Sequence, residues 1–199
     1  MAEKIKKTRP ELLRQRRQLS MFSRFLPTLV LKKQQIQSEI LKVRSQRQKL
    51  DEEMKEKIQQ ISSWEALFSE SIPGRVTRLI AVKDVERGVK NVAGIKLPVL
   101  KNVEYTIQQF SRFSTPPWLD AGLKFLKELM VLREKVKILH EQEDLLQKEL
   151  RKVTQRVNLF EKVMIPTAKE NIRQIRIALA EEQTAAVVRS KIAKGKSVA

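Results

Sequence analysis

The chain has 199 residues, 41% hydrophobic and only 5% aromatic, a composition too lean for a thick globular core but sufficient for a thin architecture such as a coiled coil. It contains no Cys, which excludes disulfides, thiolate metal sites and thiol nucleophiles and makes a reducing cytoplasm the default compartment. Its net charge of +18 is concentrated toward the two chain ends: Lys4 to Lys49 holds 14 Lys and Arg against Glu11 and Glu39, Arg189, Lys191, Lys194 and Lys196 follow Glu182 without an acid, and Leu50 to Glu182 is close to neutral, with 23 basic and 20 acidic residues.

The first predicted element is a helix over residues 10–70. Pro10 suits a first turn, and Glu70-Ser-Ile-Pro-Gly74 supplies the stop. Alternating steps of three and four pick out Leu19, Phe22, Leu26, Leu29, Lys33, Ile36, Ile40, Val43, Arg47, Leu50 and Met54, the seam of a coiled coil over about five heptads. Beyond Met54 the apolar positions Ile58 and Ile61 suggest a stutter that unwinds the supercoil locally. Sixty helical residues at about 1.5 Å each make a rod of roughly 90 Å.

Residues 71–115 read differently. Val76, Leu79, Ile80, Val82, Val85, Val89, Val92, Ile95, Leu97, Val99 and Val103 are aliphatic and mostly β-branched, punctuated by Gly88, Gly94 and Pro98, which predicts short strands. Val92-Ala-Gly-Ile95 forms the turn and Ile95-Lys-Leu-Pro98 starts the returning strand, with a further helical turn or two over Tyr105 to Phe113.

A second helix over residues 116–190 opens at Ser114-Thr-Pro-Pro117. Its seam runs through Leu119, Leu123, Leu126, Met130, Val136, Leu139, Leu146, Leu150, Val153, Val157, Phe160, Met164, Ile172, Ile175 and Leu179, and residues 191–199 are a basic tail. Two helices of similar length joined by a short middle pair most economically as antiparallel neighbours. The expected fold is therefore mainly α: a long antiparallel two-helix coiled coil of the N- and C-terminal helices with a small β-hairpin in the middle, one elongated domain over 1–199. Pairing Ile61 with Leu123 places Pro27 and Pro166 within about a dozen ångströms along the axis, and an interior proline at each position predicts a kink.

This arrangement resembles the D subunit of the V-type and A-type ATPase/ATP synthase family over nearly the whole chain. The most specific match is Arg156-Val-Asn-Leu-Phe-Glu-Lys-Val-Met-Ile-Pro166 followed by Glu170-Asn-Ile-Arg-Gln-Ile175. Lys90-Asn-Val-Ala-Gly-Ile-Lys-Leu-Pro98 is similar to the family's middle segment, and Glu11-Leu-Leu13 with Arg16-Arg17 and Leu19 to its start. Lys32-Lys33 departs from it, being followed by Gln34-Gln35 where the family interleaves acids. The resemblance implies a non-catalytic rotor shaft without a cofactor. Its paired ends insert into the ring of catalytic A and non-catalytic B subunits, its other end meets a funnel-shaped adaptor on the membrane ring, and a small F subunit binds along it. Such a protein is cytoplasmic, peripheral to the membrane and in contact with it only through the complex. The expected shaft and ring contacts are Arg14, Arg16, Arg17, Arg156, Asn158 and Pro166.

Beside that reading, the residues hold little chemistry. His140, the only histidine, lies on a helix beside Glu141 and Glu143 and reads as solvated or interfacial, because a catalytic His needs an orienting partner and a pocket. There is no Gly-rich phosphate loop with its Lys and Ser/Thr. Apolar runs such as Phe25 to Leu31 fall short of the roughly 20 residues that span a bilayer, and the basic start lacks a signal-peptide apolar stretch. Asp51-Glu52-Glu53 and Glu181-Glu182 read as solvated helix faces, and Trp64 and Trp118 as packing partners at the inner helix ends. The alternative to the shaft is a basic coiled coil that binds nucleic acid or acts as a structural scaffold. Few aromatics and no reader motif weigh against nucleic acid, and the balanced middle weighs against a membrane-bending scaffold.

Overall fold

The computed structural model of the chain describes residues 5–62, 80–107 and 119–197. In chain order they form helix α1 (Arg9–Ser62), strands β1 (Ile80–Val92) and β2 (Ile95–Ile107), helix α2 (Leu119–Leu159), a π-helical turn (Phe160–Met164) and helix α3 (Ile165–Ser197). The expected helix stop at Glu70–Gly74, the Ser114–Pro117 cap, Val76, Leu79, Trp64, Trp118 and the segment 108–113 lie outside the described residues. The chain divides into two compact units, one of residues 1–33 and 151–199 and one of residues 34–150.

The mainly α, paired-helix fold with a middle hairpin is the one the heptads predict. α1 opens as Thr8 O accepts the first helical bond from Leu12 N at 3.0 Å. Glu11 sits in the first turn, where a carboxylate favours the positive end of the helix dipole. Within each unit the helices run antiparallel. In the first, Gln15 meets Asn171 and Phe22 meets Phe160; in the second, Arg44 meets Glu143 and Lys57 meets Glu128.

In α1 the predicted seam is the buried stripe: Phe22, Ile36, Ile40 and Val43 are buried, and Leu19, Leu26, Leu29, Lys33, Arg47, Leu50 and Met54 half-buried. The stutter after Met54 is a correction. Lys57 continues the regular step and is half-buried, while Ile58 is 51% exposed. The long aliphatic stem of lysine covers apolar surface with its head at the rim, and Lys57 Nζ reaches Glu128 of α2, so the heptad runs on without an inserted step.

The strands are thirteen residues each, longer than predicted, and pair antiparallel as a two-stranded sheet. The turn is the expected one. Ala93 and Gly94 both have positive φ, 52° and 79°, the signature of the type I′ turn whose twist matches that of the strands. Tyr105 to Ile107, expected to begin a helical turn, belong to β2 and pair with Val82, Ala81 and Ile80.

Two bulges interrupt the register, one leaving Lys83 and the other Lys101 without an opposite residue. Asp84 Oδ1 accepts from Val85 N at 2.7 Å and Asn102 Oδ1 from Val103 N at 2.9 Å, side-chain bonds that occupy backbone donors beside the bulges. The two lysines pair across the sheet with Glu104 and Glu86 at 3.8 and 3.6 Å. β2 carries the buried side chains Ile95, Leu97 and Val103, whereas β1 is exposed over most of its length. Ile80 packs with Leu119 and Leu123, with Tyr105, Leu126 and Met130 around them.

The C-terminal helix departs from expectation in two respects. It is helical through Ser197, so that residues 191–197 continue α3 where a tail is expected. It also widens ahead of Pro166: Ile165 N donates to Phe160 O, five residues back. Proline lacks an N–H and its ring presses on the carbonyl four residues earlier, and a widened turn makes room for that conflict. α1, by contrast, stays α-helical across Pro27.

Candidate functional site

Every site residue expected from the sequence falls in the first unit. Arg14, Arg16, Arg17 and Pro27 lie on α1, Arg156 and Asn158 on α2, and Pro166 on α3, and all seven are exposed. The seam explains their outward direction: Phe22 on one helix and Val153, Val157, Ala168, Ile172 and Ile175 on the other take the inward positions, and the cations occupy the remaining faces.

Charge separates the units further. The first holds 21 Lys and Arg against six acids, a surplus of 15, and the second 20 against 17, a surplus of three. Few of the first unit's cations are neutralised locally. Arg14 Nη1 lies 3.8 Å from Glu11 Oε2, and Arg173 forms a two-pronged pair with Glu170 at 2.8 and 2.7 Å. With Gln174 adding a third donor, that pairing holds the Glu170 carboxyl down at about 2 and raises the Arg173 guanidinium above its ordinary value. Among the described residues Arg16, Arg17, Arg24 and Arg156 have no carboxylate within ion-pair distance.

Interleaved with this charge are exposed apolar side chains: Leu13, Met21, Phe25 and Leu31 on α1, and Ile177, Val187, Val188 and Ile192 on α3. The start of α1, at Lys7 to Arg9, lies against Leu179, Glu182, Gln183 and Ala186. Past that contact α3 continues without α1 beside it, and its residues 180–194 are exposed throughout.

Two features go beyond what the sequence pattern announces. The first is Glu143, only 5% exposed. Arg44 Nε donates to its Oε1 at 2.6 Å and Gln147 Nε2 to the same oxygen at 3.0 Å, while Arg47 Nη1 approaches Oε2 at 3.1 Å as an ion pair without hydrogen-bond geometry. The Arg44 hydrogen bond, reinforced by both positive charges and opposed by burial, keeps the carboxyl below its ordinary value. The heptads do carry a sign of it, because 143 is the seam position between Leu139 and Leu146, and Arg47 is the polar seam position of α1. The second is the π turn, which no residue pattern announces apart from Pro166 behind it. Leu132 and Ile138 are core residues off the predicted seam. Ile138 shares a cleft with Leu50, Val99 and Leu100, so α2 buries a second face there in addition to its seam.

Two long helices paired antiparallel and a two-stranded hairpin between them define a paired-helix protein with a basic, partly apolar surface on one unit. Comparison with known proteins narrows this class. A family model described as the ATP synthase D subunit matches residues 11–195. The chain is 46% identical over 191 residues to the V-type ATP synthase D subunit of Borreliella burgdorferi, covering 96% of this chain and 94% of that one. It is 34% identical over 202 residues to the protein of the same name in Chlamydia trachomatis and 32% to that of Chlamydia muridarum, each alignment covering 98% of this chain and 97% of the relative. The chain belongs to the ATP synthase D-subunit family.

Proposed function

We propose that the chain is the central-stalk rotor shaft of a V/A-type rotary ATPase or ATP synthase, a non-catalytic component that couples ATP turnover in a ring of A and B subunits to ion movement across the membrane. The observation that carries this reading is the first unit, whose sequence holds a surplus of fifteen positive charges and whose described surface interleaves exposed cations with exposed apolar side chains on helices whose own seam is already filled. Cations and apolar groups together suit a sleeve with acidic and apolar lining, since the apolar groups gain by leaving water and the charges orient the contact. The exposed run of α3 after Ala186, with Val187, Val188 and Ile192, suits the deepest part of that insertion. A small F subunit and a funnel-shaped adaptor toward the membrane ring complete the partner set, and the shaft works at the cytoplasmic face.

Rotation drives the catalytic sites in turn if a three-fold ring meets a different face of the shaft at each step. The π turn before Pro166, and Pro27 on the partnering stretch of α1, supply the departure from a straight axis in this mechanism.

The test is assembly. Arg14→Glu, Arg16→Glu and Arg17→Glu together are expected to abolish co-purification with the ring subunits while leaving the thermal midpoint of the isolated chain unchanged, because the three side chains are exposed. Full assembly of the triple variant defeats the reading. Retention of the wild type on DNA at physiological salt, with a steep salt dependence and no ring subunits bound, favours a nucleic-acid binder instead.

A further inference from the structure

A single turn of α2, His140 to Glu143, holds three other elements of the second unit. Glu143 takes Arg44 and Arg47 of α1 as described, and Arg47 Nη1 lies 3.2 Å from His140 Nδ1. Glu141 Oε2 accepts from Arg87 Nη1 of β1 at 2.9 Å. Between them, Gln142 Nε2 donates to the Pro98 carbonyl of β2.

Apart from the Lys57–Glu128 pair, whose carboxylate is exposed and therefore contributes little, the remainder of this helix pair is poor at specifying its own alignment. Ile36, Ile40, Val43, Leu50 and Met54 repeat at heptad spacing, and an aliphatic seam that slides by seven residues finds apolar holes again. Glu143 removes that degeneracy. Displaced by one heptad in one direction it faces Asp51 and Met54, and in the other Gln37 and Ile40, and neither site offers a cation to a carboxylate that must stay buried. In the first unit the corresponding polar contact across the helices is weaker: Asn171 Nδ2 donates to Gln15 Oε1 at 3.4 Å, between neutral groups.

We propose that Glu143 is the register-setting residue of the helix pair, and that Glu141 and Gln142 tie the hairpin to the same turn, so that hairpin and helices shift together or not at all. This goes beyond the shaft reading and stands without it.

The absence of native cysteine allows spin labels to be placed specifically on the full chain. Lys55→Cys on α1 and Lys148→Cys on α2, both exposed, report helix alignment by pulsed dipolar spectroscopy, and Asn91→Cys with Lys148→Cys reports the hairpin. In the otherwise wild-type chain one narrow distance is expected for each pair. In Glu143→Leu a second helix–helix distance, displaced by about 10 Å for a one-heptad slide, is expected in at least a tenth of the molecules, while the thermal midpoint is unchanged or raised because the seam has gained an apolar residue. Glu143→Gln, which keeps the shape and loses the charge, is expected to broaden the same distribution. A single unchanged distance in both variants overturns the register role. The hairpin distance to Lys148, on the same helix as Glu141 and Gln142, is expected to stay fixed while the helices slide, and a hairpin distance that changes overturns the tie through Glu141 and Gln142.

Discussion

Phe22 and Phe160 pack ring against ring, centroids 5.3 Å apart and planes tilted by 32°, between the two helix prolines. Pro27 lies five residues after Phe22 and Pro166 six residues after Phe160, and in an antiparallel pair these offsets point in opposite directions, a separation of about 16 Å along the axis. Phe22 is 7% exposed and its partner half-buried. Phe22→Ala is expected to cost about 3 kcal/mol, the usual loss for a large core aromatic, with Phe22→Leu losing less than half as much. Urea unfolding followed by circular dichroism measures both.

The prolines make a second prediction. Pro166→Ala restores a backbone N–H and removes the ring, and is expected to convert the π turn to regular α-helix and stabilise the isolated chain by up to about 3 kcal/mol. Amide hydrogen exchange across 160–170 reads the conversion directly. In a reconstituted complex, Pro27→Ala with Pro166→Ala is expected to alter the coupling of hydrolysis to rotation, and unchanged coupling counts against the bent-shaft mechanism.

Acid should weaken the fold through two carboxylates. Glu143 and Glu170 both ionise below the ordinary value of 4.5, Glu170 down to about 2. A group whose folded value is depressed contributes stability above its unfolded value and forfeits it as protons bind the folded form. The thermal midpoint is therefore expected to hold steady above pH 4.5 and to fall between pH 4.5 and 2. Glu143→Gln should flatten that fall more than Glu170→Gln, because Glu170 is on a solvated face where screening weakens its ion pair. Calorimetric scans through that pH range decide the order.

The hairpin turn offers a stabilising substitution. Ala93 holds a φ of 52°, a left-handed conformation that costs an alanine about 1 kcal/mol and that asparagine tolerates. Ala93→Asn is expected to raise the stability of the hairpin by about 0.5–1 kcal/mol. Ala93→Val is expected to lower it, since a β-branched side chain crowds that backbone most. Hydrogen-exchange protection of the amides flanking the turn, such as Val92 and Ile95, measures the effect.

Much of this molecule is legible in its residues. The α1 seam from Leu19 to Met54, the Val92–Ile95 turn and the outward cations Arg14, Arg16 and Arg17 follow from periodicity, turn chemistry and charge, each of which acts over a few residues. The departures share a different origin. Ile58 belongs to a seam by its aliphatic character, yet the partner helix offers Glu128 where Lys57 arrives. Ile138 falls outside the single apolar stripe that a one-partner helix needs, whereas α2 also faces β2. Glu143 falls on a seam position, yet the pattern does not say what would make a buried acid tolerable there, because the two arginines that do so lie nearly a hundred residues earlier.

The amino-acid sequence by itself determined that there are two amphipathic helices, a hairpin between them and strongly basic ends, because heptad spacing, turn residues and charge are local properties of a chain. Tertiary structure alone decided which polar residues are buried and where a helix turn widens. Those outcomes depend on what an element meets across the interface: a carboxylate can stay inside only where cations from a distant segment reach it, and the carbonyls ahead of a proline adopt a wider turn only where the packing of the whole helix permits it.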